Sequence, residues 1–245
     1  MSLPTFNAEA IVQVAMDEEA APFFDLTDSA GETFTFGLAQ FYPRLYTSGE
    51  RELKILLVRS KIGLVNAAAA ITAALQVAPA PAVVVSAGTA GGLRADVNVG
   101  DIALGTDYTY TDADATAFGY ARGQVPGMPE RFSTPAFLQD VAAAVAADYT
   151  EGAAHRGTML AGGSFVTAHN VADTREVFPQ AVSTDMETTA IAQVCESVGI
   201  PFIAARGISD LCGPAADQDF HLGVDIVGPR SARAALRIIE EVTQK

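Results

Sequence analysis

The sequence predicts an α/β fold: a single domain with a central mixed, mostly parallel β-sheet flanked by helices. Apolar runs of strand length alternate with helical patterns from residue 53 onward, as in sheets built from strand–helix–strand units. Residues 82–87 (AVVVSA) form a continuous apolar run, which is typical of a parallel strand covered on both faces. Apolar residues make up 49% of the 245 residues, and no linker-like segment separates them. We therefore expect one domain over residues 1–245.

The first part of the chain predicts mostly strands. The β-branched run at residues 10–15 predicts a buried strand, with the acidic residues 17–19 at its carboxyl end. Alternating segments with aromatic residues at 33–46 and 53–60 predict two or three further strands, partly antiparallel. An Ala-rich pattern of helical period predicts a helix over residues 63–77.

The rest of the chain alternates more regularly. The run at 82–87 leads into a glycine-rich turn at 88–92, and residues 111–132 predict a long loop. Gly228 and Pro229 lie just upstream of the last helix. The remaining segments predict strands at 101–110, 158–161, 181–184 and 201–208, and helices at 135–147, 186–198 and 231–243.

Charge and cysteine content exclude several functions. The formal net charge is −14, whereas binding to nucleic acid needs clustered Lys and Arg and anionic membranes repel an acidic surface. No apolar stretch is long enough for a transmembrane helix, and we expect no signal peptide. Cys195 and Cys212 have no metal-type spacing. We therefore expect a reduced, cytoplasmic protein that binds neither nucleic acid nor membranes.

Three charged residues lie where the pattern predicts a core. Glu187 opens the helix at 186–198, Arg206 lies in the strand at 201–208, and Asp210 follows that strand. Burying ionised groups is costly unless they are paired or hydrogen-bonded. Glu187 either complements the helix dipole or accepts hydrogen bonds from vicinal hydroxyls such as a ribose diol. Arg206 and Asp210 form either a structural ion pair or a site in which Asp210 donates a proton.

Strand ends supply further candidates, because ligands of open α/β folds bind at the carboxyl ends of strands. The acidic residues 17–19 form either a solvated turn or the source of one carboxylate in the site. The turn at 88–92 is either a plain turn or a close approach to a ligand, and it matches neither the dinucleotide nor the triphosphate fingerprint. Phe165 is either a core residue or an aromatic that stacks on a planar base. The histidines lack metal-ligand spacing, so we expect no metal site.

Eight short stretches together carry a resemblance to a known family. They are AMDEE (15–19), SKIG (60–63), SAGTAGGL (86–93), VGDI (99–102), DADATAFGY (112–120), GQVPG (123–127), DME (185–187) and RGISD (206–210). In combination they resemble the nucleoside phosphorylase/nucleosidase superfamily over about residues 10–243. Within it, they look most like the nucleosidases that act on 5′-methylthioadenosine and S-adenosylhomocysteine.

The resemblance implies hydrolysis of the N-glycosidic bond of 5′-thio-substituted adenosines, which releases adenine and a thioribose product in methionine salvage and nucleoside catabolism. It implies that Glu19 activates the attacking water and that Asp210 protonates the adenine leaving group at N7. Two carboxyl groups suit a reaction that passes through an oxocarbenium-like sugar. The resemblance implies no metal and no organic cofactor.

The resemblance also implies how the nucleoside is bound. Glu187 would grip the ribose hydroxyls with Met186 packed beside it, and Phe165 would stack on adenine. Phe118 and Pro126 would reach across a homodimer interface to cover the 5′-substituent in the partner's site. The other implied substrate contacts are Ile62, Thr89, Arg206, Ser209 and Phe220.

Two departures from the family pattern bear on the substrate. Asp185, a candidate N-cap, replaces the glutamate that is usual before Met186, and Lys61 stands where glycine is common. Two alternatives stay open: a purine nucleoside phosphorylase, which normally needs arginine rather than the carboxylates of residues 17–19, and a non-catalytic nucleoside-binding protein. The sequence does not rank methylthioadenosine, adenosylhomocysteine, 5′-deoxyadenosine and modified futalosine as substrates.

Overall fold

A mixed sheet of eleven strands lies at the centre of the described part of the chain. The computed structural model describes residues 3–214 and 216–244, and of residues 217–222 it describes the backbone alone. The strands are β1 (Ala10–Val14), β2 (Asp28–Ser29), β3 (Phe34–Phe36), β4 (Ala39–Ser48), β5 (Arg51–Arg59), β6 (Val83–Gly92), β7 (Ile102–Tyr110), β8 (Phe132–Ser133), β9 (Ala154–Ala161), β10 (Ser183–Asp185) and β11 (Phe202–Asp210).

Helices cover both faces of this sheet. They are α1 (Asp17–Leu26), α2 (Leu64–Val77), α3 (Ala136–Asp148), α4 (Val171–Val177), α5 (Thr188–Val198) and α6 (Ala216–Thr243). Over the described residues, none of them combines the length and the apolar composition that a bilayer span requires.

The strand order is β10-β9-β7-β11-β6-β1-β5-β4-β2, with β3 paired to β4 and β8 paired to β7. The central strand β6 is parallel to both β1 and β11, whereas β11 is antiparallel to β7. β10 pairs with β9 and also with β6, so that strands β10, β9, β7, β11 and β6 close into a ring. The predicted α/β fold with a mixed sheet flanked by helices is confirmed.

Alternate residues of β6 supply two cores. Val84 packs into the core on the side of α2 and α5, and Val83 and Val85 pack into the core on the side of α1, α3 and α6. Successive side chains of a strand point to opposite faces, so a strand buried on both faces needs an uninterrupted apolar run. This requirement explains the run at residues 82–87.

The prediction of a glycine-rich turn at residues 88–92 was wrong, because β6 continues through Gly92. These residues pair with β11 as far as Asp210 and with β10 on the other side. A Cβ atom built on Gly92 would lie 3.0 Å from side-chain atoms of both Leu211 and Val97. The glycines therefore clear space for neighbouring elements where the ring of strands closes.

The last helix begins at Ala216 and contains Pro229, so its predicted start at residue 231 was wrong. Its first half packs closely on β11 because glycine stands at the contact. A Cβ atom on Gly223 would lie 2.6 Å from the Ser209 carbonyl oxygen, and one on Gly207 would lie 2.5 Å from Val227 Cβ. This packing supports a helix that the local sequence does not predict.

Helices α1 and α4 were also missed. The acidic residues 17–19 form the first turn of α1, where carboxylates interact favourably with the helix dipole. Glu19 is buried, whereas Asp17 and Glu18 are exposed. Pro22 lies inside α1, and proline is unfavourable in a helix interior. Because Glu19 is the buried member, only one carboxylate of residues 17–19 is turned towards the sheet.

Candidate active site

A cavity of about 150 Å³ opens where the carboxyl ends of β1, β6 and β11 meet the start of α5. The structure brings together most of the site residues predicted from the sequence. Those that line the cavity are Glu19, Ile62, Thr89, Phe165, Met186, Glu187, Arg206, Ser209 and Asp210.

Two predicted site residues with described side chains do not line the cavity within this chain. Phe118 is 83% exposed, and Pro126 is exposed in the same long loop. The side chain of Phe220 lies outside the described residues. Phe118 and Pro126 can therefore contribute only to another molecule or after a movement of their loop.

Glu19 is a buried carboxylate that accepts four hydrogen bonds. Its Oε2 accepts hydrogen bonds from the backbone N–H groups of Ala15 (2.9 Å) and Met16 (3.1 Å). Its Oε1 accepts them from the backbone N–H (2.8 Å) and the hydroxyl (2.9 Å) of Thr89. Donors to an ionised carboxylate offset the cost of its burial. The side chain thus ties the end of β1 to β6.

Gly88 allows this contact. A Cβ atom at that position would lie 2.4 Å from Glu19 Oε1, and the residue has φ +125°, which side-chain-bearing residues rarely adopt. Only glycine combines this conformation with so close an approach.

Glu187 and Arg206 form a buried ion pair. Arg206 Nη1 lies 3.4 Å from Glu187 Oε2, and the Gly63 N–H donates to Glu187 Oε1 at 2.9 Å. Burial raises the pKa of Glu187 to about 7; the charges of Asp185 and Glu19 act in the same direction and that of Arg206 opposes them. Burial alone would lower the pKa of Arg206, but the surrounding carboxylates raise it, so the guanidinium stays charged.

Asp185 supports the start of α5. Its Oδ1 accepts the N–H groups of Glu187 (2.8 Å) and Thr188 (2.7 Å). The N-cap position itself is occupied by Glu187, so the prediction of Asp185 as the N-cap was wrong in position, although its carboxylate binds the first N–H groups. Asp185 Oδ2 lies 3.7 Å from Arg206 Nε, which has no hydrogen-bond acceptor among the described residues. An unsatisfied donor therefore lies beside the Asp185 carboxylate.

Asp210 ends β11 at an irregularity in the sheet. The pairing with β6 shifts register between Ile208 and Asp210, and such bulges re-aim side chains next to active sites. Asp210 Oδ2 accepts the Ser209 hydroxyl at 3.0 Å, and Oδ1 accepts the Cys212 N–H at 2.9 Å. The carboxyl is thus buried, oriented and in the same cavity as Glu19.

Several lining residues were not predicted from the sequence. They are Ala15, Met16, Ala90, Gly91, Ser164, Val166, Thr184 and Cys212. Most of them adjoin a predicted site residue, so their position next to a strand end was the available signal. Within the described residues, no group of three His, Cys, Asp or Glu side chains is placed to hold a metal ion.

Comparisons with known proteins agree with this geometry. The sequence pattern of the phosphorylase superfamily matches residues 9–244. A 5′-methylthioadenosine/S-adenosylhomocysteine nucleosidase from Neisseria meningitidis, in complex with methylthio-immucillin-A, is 33% identical over 95% of this chain and 98% of its own, with a TM-score of 0.85. One from Colwellia psychrerythraea, in complex with adenine, is 29% identical over 98% of both chains, with a TM-score of 0.86. A futalosine hydrolase from Helicobacter pylori is 26% identical over 95% of this chain and 97% of its own, with a TM-score of 0.84.

Glu187→Gln should change how stability depends on pH. The folded-state pKa of Glu187, about 7, exceeds its ordinary value of 4.5, so the native state retains a proton that the unfolded chain loses. Its contribution to stability is complete below pH 4.5 and is lost as the pH rises through about 7. We expect the difference in unfolding free energy between wild type and variant to fall by on the order of 3 kcal/mol across this window.

Denaturant unfolding from about pH 4.5 to 8 measures this difference. Glu196→Gln is the matched control, because Glu196 is exposed on the same helix. A difference between wild type and Glu187→Gln that does not vary with pH would contradict the raised pKa.

Proposed function

The chain belongs to the phosphorylase superfamily, and from this premise we propose that it hydrolyses the N-glycosidic bond of 5′-thio-substituted adenosines. The products are adenine and a thioribose. The observation that carries the proposal is that the carboxyl groups of Glu19 and Asp210 line one cavity. A glycosidic bond is hydrolysed by such a pair, in which one group acts as the base and the other as the acid. The resemblance to nucleosidases of this specificity supports the choice of substrate.

Glu19 acts on the nucleophile. Its carboxylate takes a proton from a water molecule as the water attacks the anomeric carbon. The hydrogen bonds from Ala15, Met16 and Thr89 hold this carboxylate in one orientation. Arg206 Nη1 donates to the Thr89 carbonyl at 3.1 Å and to Glu187. Arg206 therefore links β6, which helps to hold the base Glu19, to the start of α5, where Glu187 binds the sugar.

Asp210 acts on the leaving group. Adenine is a poor leaving group as an anion, and a proton delivered to N7 allows it to depart as a neutral base. General acid catalysis of this kind typically contributes about 10²–10⁴-fold. Ser209 and the Cys212 N–H fix the carboxyl for this transfer.

Glu187 and the aromatic residues bind the nucleoside. The Glu187 carboxyl accepts hydrogen bonds from the ribose hydroxyls, with Met186 beside it in the cavity lining. Phe165, at the cavity's open side, stacks on the purine. Ile62 is exposed at the same mouth and contacts the 5′-substituent. The excess of carboxylates stabilises the positive charge that develops on the sugar.

Hydrolysis fits the cavity better than phosphorolysis, the principal alternative. Among the described lining residues, Arg206 is the only lysine or arginine, and Thr89, Ser86 and Glu187 already engage its guanidinium. A phosphate would enter a cavity lined by Glu19, Asp185, Glu187 and Asp210. Repulsion between like charges disfavours that anion, whereas a neutral water molecule pays no such cost.

We further propose that the chain acts as a homodimer in the cytoplasm, in methionine salvage and nucleoside catabolism. Phe118 is 83% exposed at the tip of a loop that does not reach its own cavity, and so large an exposed aromatic favours a covering partner. Both cysteines are free thiols, as is usual in a reducing compartment.

Adenine release without phosphate is the test of the proposed reaction. We expect wild-type protein to release adenine from methylthioadenosine or adenosylhomocysteine in phosphate-free buffer. We expect Glu19→Gln and Asp210→Asn each to lower kcat by about 10²-fold or more, because each removes one proton-transfer group. Glu18→Gln, an exposed neighbour on α1, is the control and should keep wild-type activity.

Other outcomes of this assay would favour a different function or refute the role of a residue. Strict dependence on phosphate would favour a phosphorylase. Tight binding of a nucleoside analogue without turnover of any substrate in a panel with 5′-deoxyadenosine and futalosine would favour a binding protein. Near-full activity of either carboxyl variant would refute the role of that residue.

Complementation between two impaired variants, assayed at substrate concentrations well below KM, tests the dimer. If Phe118 acts in the partner's site, Phe118→Ala should raise KM about tenfold through the loss of apolar contact with the 5′-substituent. A mixture of Phe118→Ala and Asp210→Asn protomers should regain activity, since each heterodimer contains one site with both residues intact. Mixing that restores nothing, or a fully active monomer in light scattering, would contradict this role.

A further inference from the structure

A thiol lines the cavity next to the proposed acid. Cys212 is 1% exposed and lies two residues after Asp210. Its φ is +54°, in the left-handed region that non-glycine residues seldom adopt. Such a conformation stores strain and is concentrated at functional sites. In Cys212 it turns the chain back after β11, and the side chain joins Asp210 in the lining of the cavity.

Gly91 provides the space for both side chains. A Cβ atom on Gly91 would lie 2.5 Å from Cys212 Sγ and 3.1 Å from Asp210 Oδ1. The thiol and the carboxyl therefore lie side by side against the same point of β6. Any larger residue at position 91 would displace one of them.

The buried thiol stays protonated beside the carboxyl. Burial, followed by the nearby Asp210 charge and hydrogen bonding to that carboxyl, raises the pKa of Cys212 to about 12. The group is therefore a neutral S–H at physiological pH. Asp210 has donors on both oxygens, the Ser209 hydroxyl and the backbone N–H of Cys212, and the thiol lies beside them at Gly91.

We propose that Cys212 is a positioning residue for Asp210: its thiol, packed with the carboxyl against Gly91, holds that carboxyl in the orientation for proton transfer. This inference rests on the proposed function only in the identity of Asp210 as the acid. Cys212 itself transfers no proton and forms no covalent bond with the substrate. Its effect on the reaction passes through the carboxyl beside it.

Other charged groups surround this pair. Arg175 on α4 donates to the Leu211 carbonyl at 3.1 Å and acts electrostatically on Cys212. The charged residues that face the pair across the cavity are Glu19, Asp185, Glu187 and Arg206. None of these residues changes in the variants below, so a shift in the titration of the Asp210 carboxyl reports the loss of the Cys212 thiol.

The test compares Cys212→Ala, Cys212→Gly and Cys212→Ser. Alanine and glycine both remove the donor, and glycine also relieves the left-handed backbone strain. Serine restores a donor. For the first two variants we expect kcat to fall about threefold to tenfold, the effect of one hydrogen bond, with KM changed less than twofold. The alkaline limb of the pH profile should move to higher pH, because a carboxyl that loses a donor holds its proton more tightly. Serine should restore wild-type behaviour.

A direct titration separates this inference from the proposed reaction. We expect the ¹³C resonance of the Asp210 carboxyl to titrate at higher pH in Cys212→Ala and Cys212→Gly than in wild type or Cys212→Ser, whatever reaction the protein catalyses. Cys195→Ala, at the other buried cysteine and outside the cavity lining, should leave that titration and kcat unchanged.

Two results would overturn the proposal. One is an unchanged Asp210 titration and pH profile in both thiol-free variants. The other is an equal loss of kcat in all three variants without any shift in titration, which would mark Cys212 as a packing residue only. If the titration shifts as expected but no nucleoside is hydrolysed, the positioning role stands and the proposed function fails.

Discussion

The site depends on one buried cation. Arg206 is 1% exposed in the middle of β11, and its guanidinium donates to Ser86 Oγ (2.8 Å), to the Thr89 carbonyl (3.1 Å) and to Glu187 (3.4 Å). Without this charge, the carboxylates around it would repel one another in a medium of low dielectric. The Arg206 charge offsets burial and the repulsion between the carboxylates only in part, since the pKa of Glu187 is still raised to about 7. The remaining negative potential is suited to a cationic transition state.

The closed ring of strands sets where the carboxyls can lie. β6 runs through the centre without side chains at Gly88 and Gly91, so Glu19 reaches its backbone from one side, and Asp210 and Cys212 reach it from the other. The register shift before Asp210 turns that residue towards the cavity. An acid and a base from different ends of the chain thus meet across a few residues of one strand. No long loop has to be ordered to bring them together.

The sequence predicted features that depend on local pattern and missed those that depend on distant contacts. The run at 82–87 identified β6 because burial on both faces requires it, and Glu187 and Asp210 stood out as charges in apolar surroundings. Residues 88–92 were misassigned because their strand conformation comes from pairing with β10 and β11. The first half of α6 was missed because Gly223 against Ser209 stabilises it. Cys212 was missed because only its left-handed backbone returns the thiol to Asp210.

The most direct test of the account is a crystal structure with a transition-state analogue that carries a protonated N7 and a cationic sugar mimic. The account predicts an Asp210 carboxyl oxygen within about 2.6–3.2 Å of N7. It also predicts a water molecule on the opposite face of the anomeric centre that is hydrogen-bonded to Glu19. An analogue bound with either carboxyl out of reach of the sugar–base bond would contradict the central claim that these two residues act on one linkage.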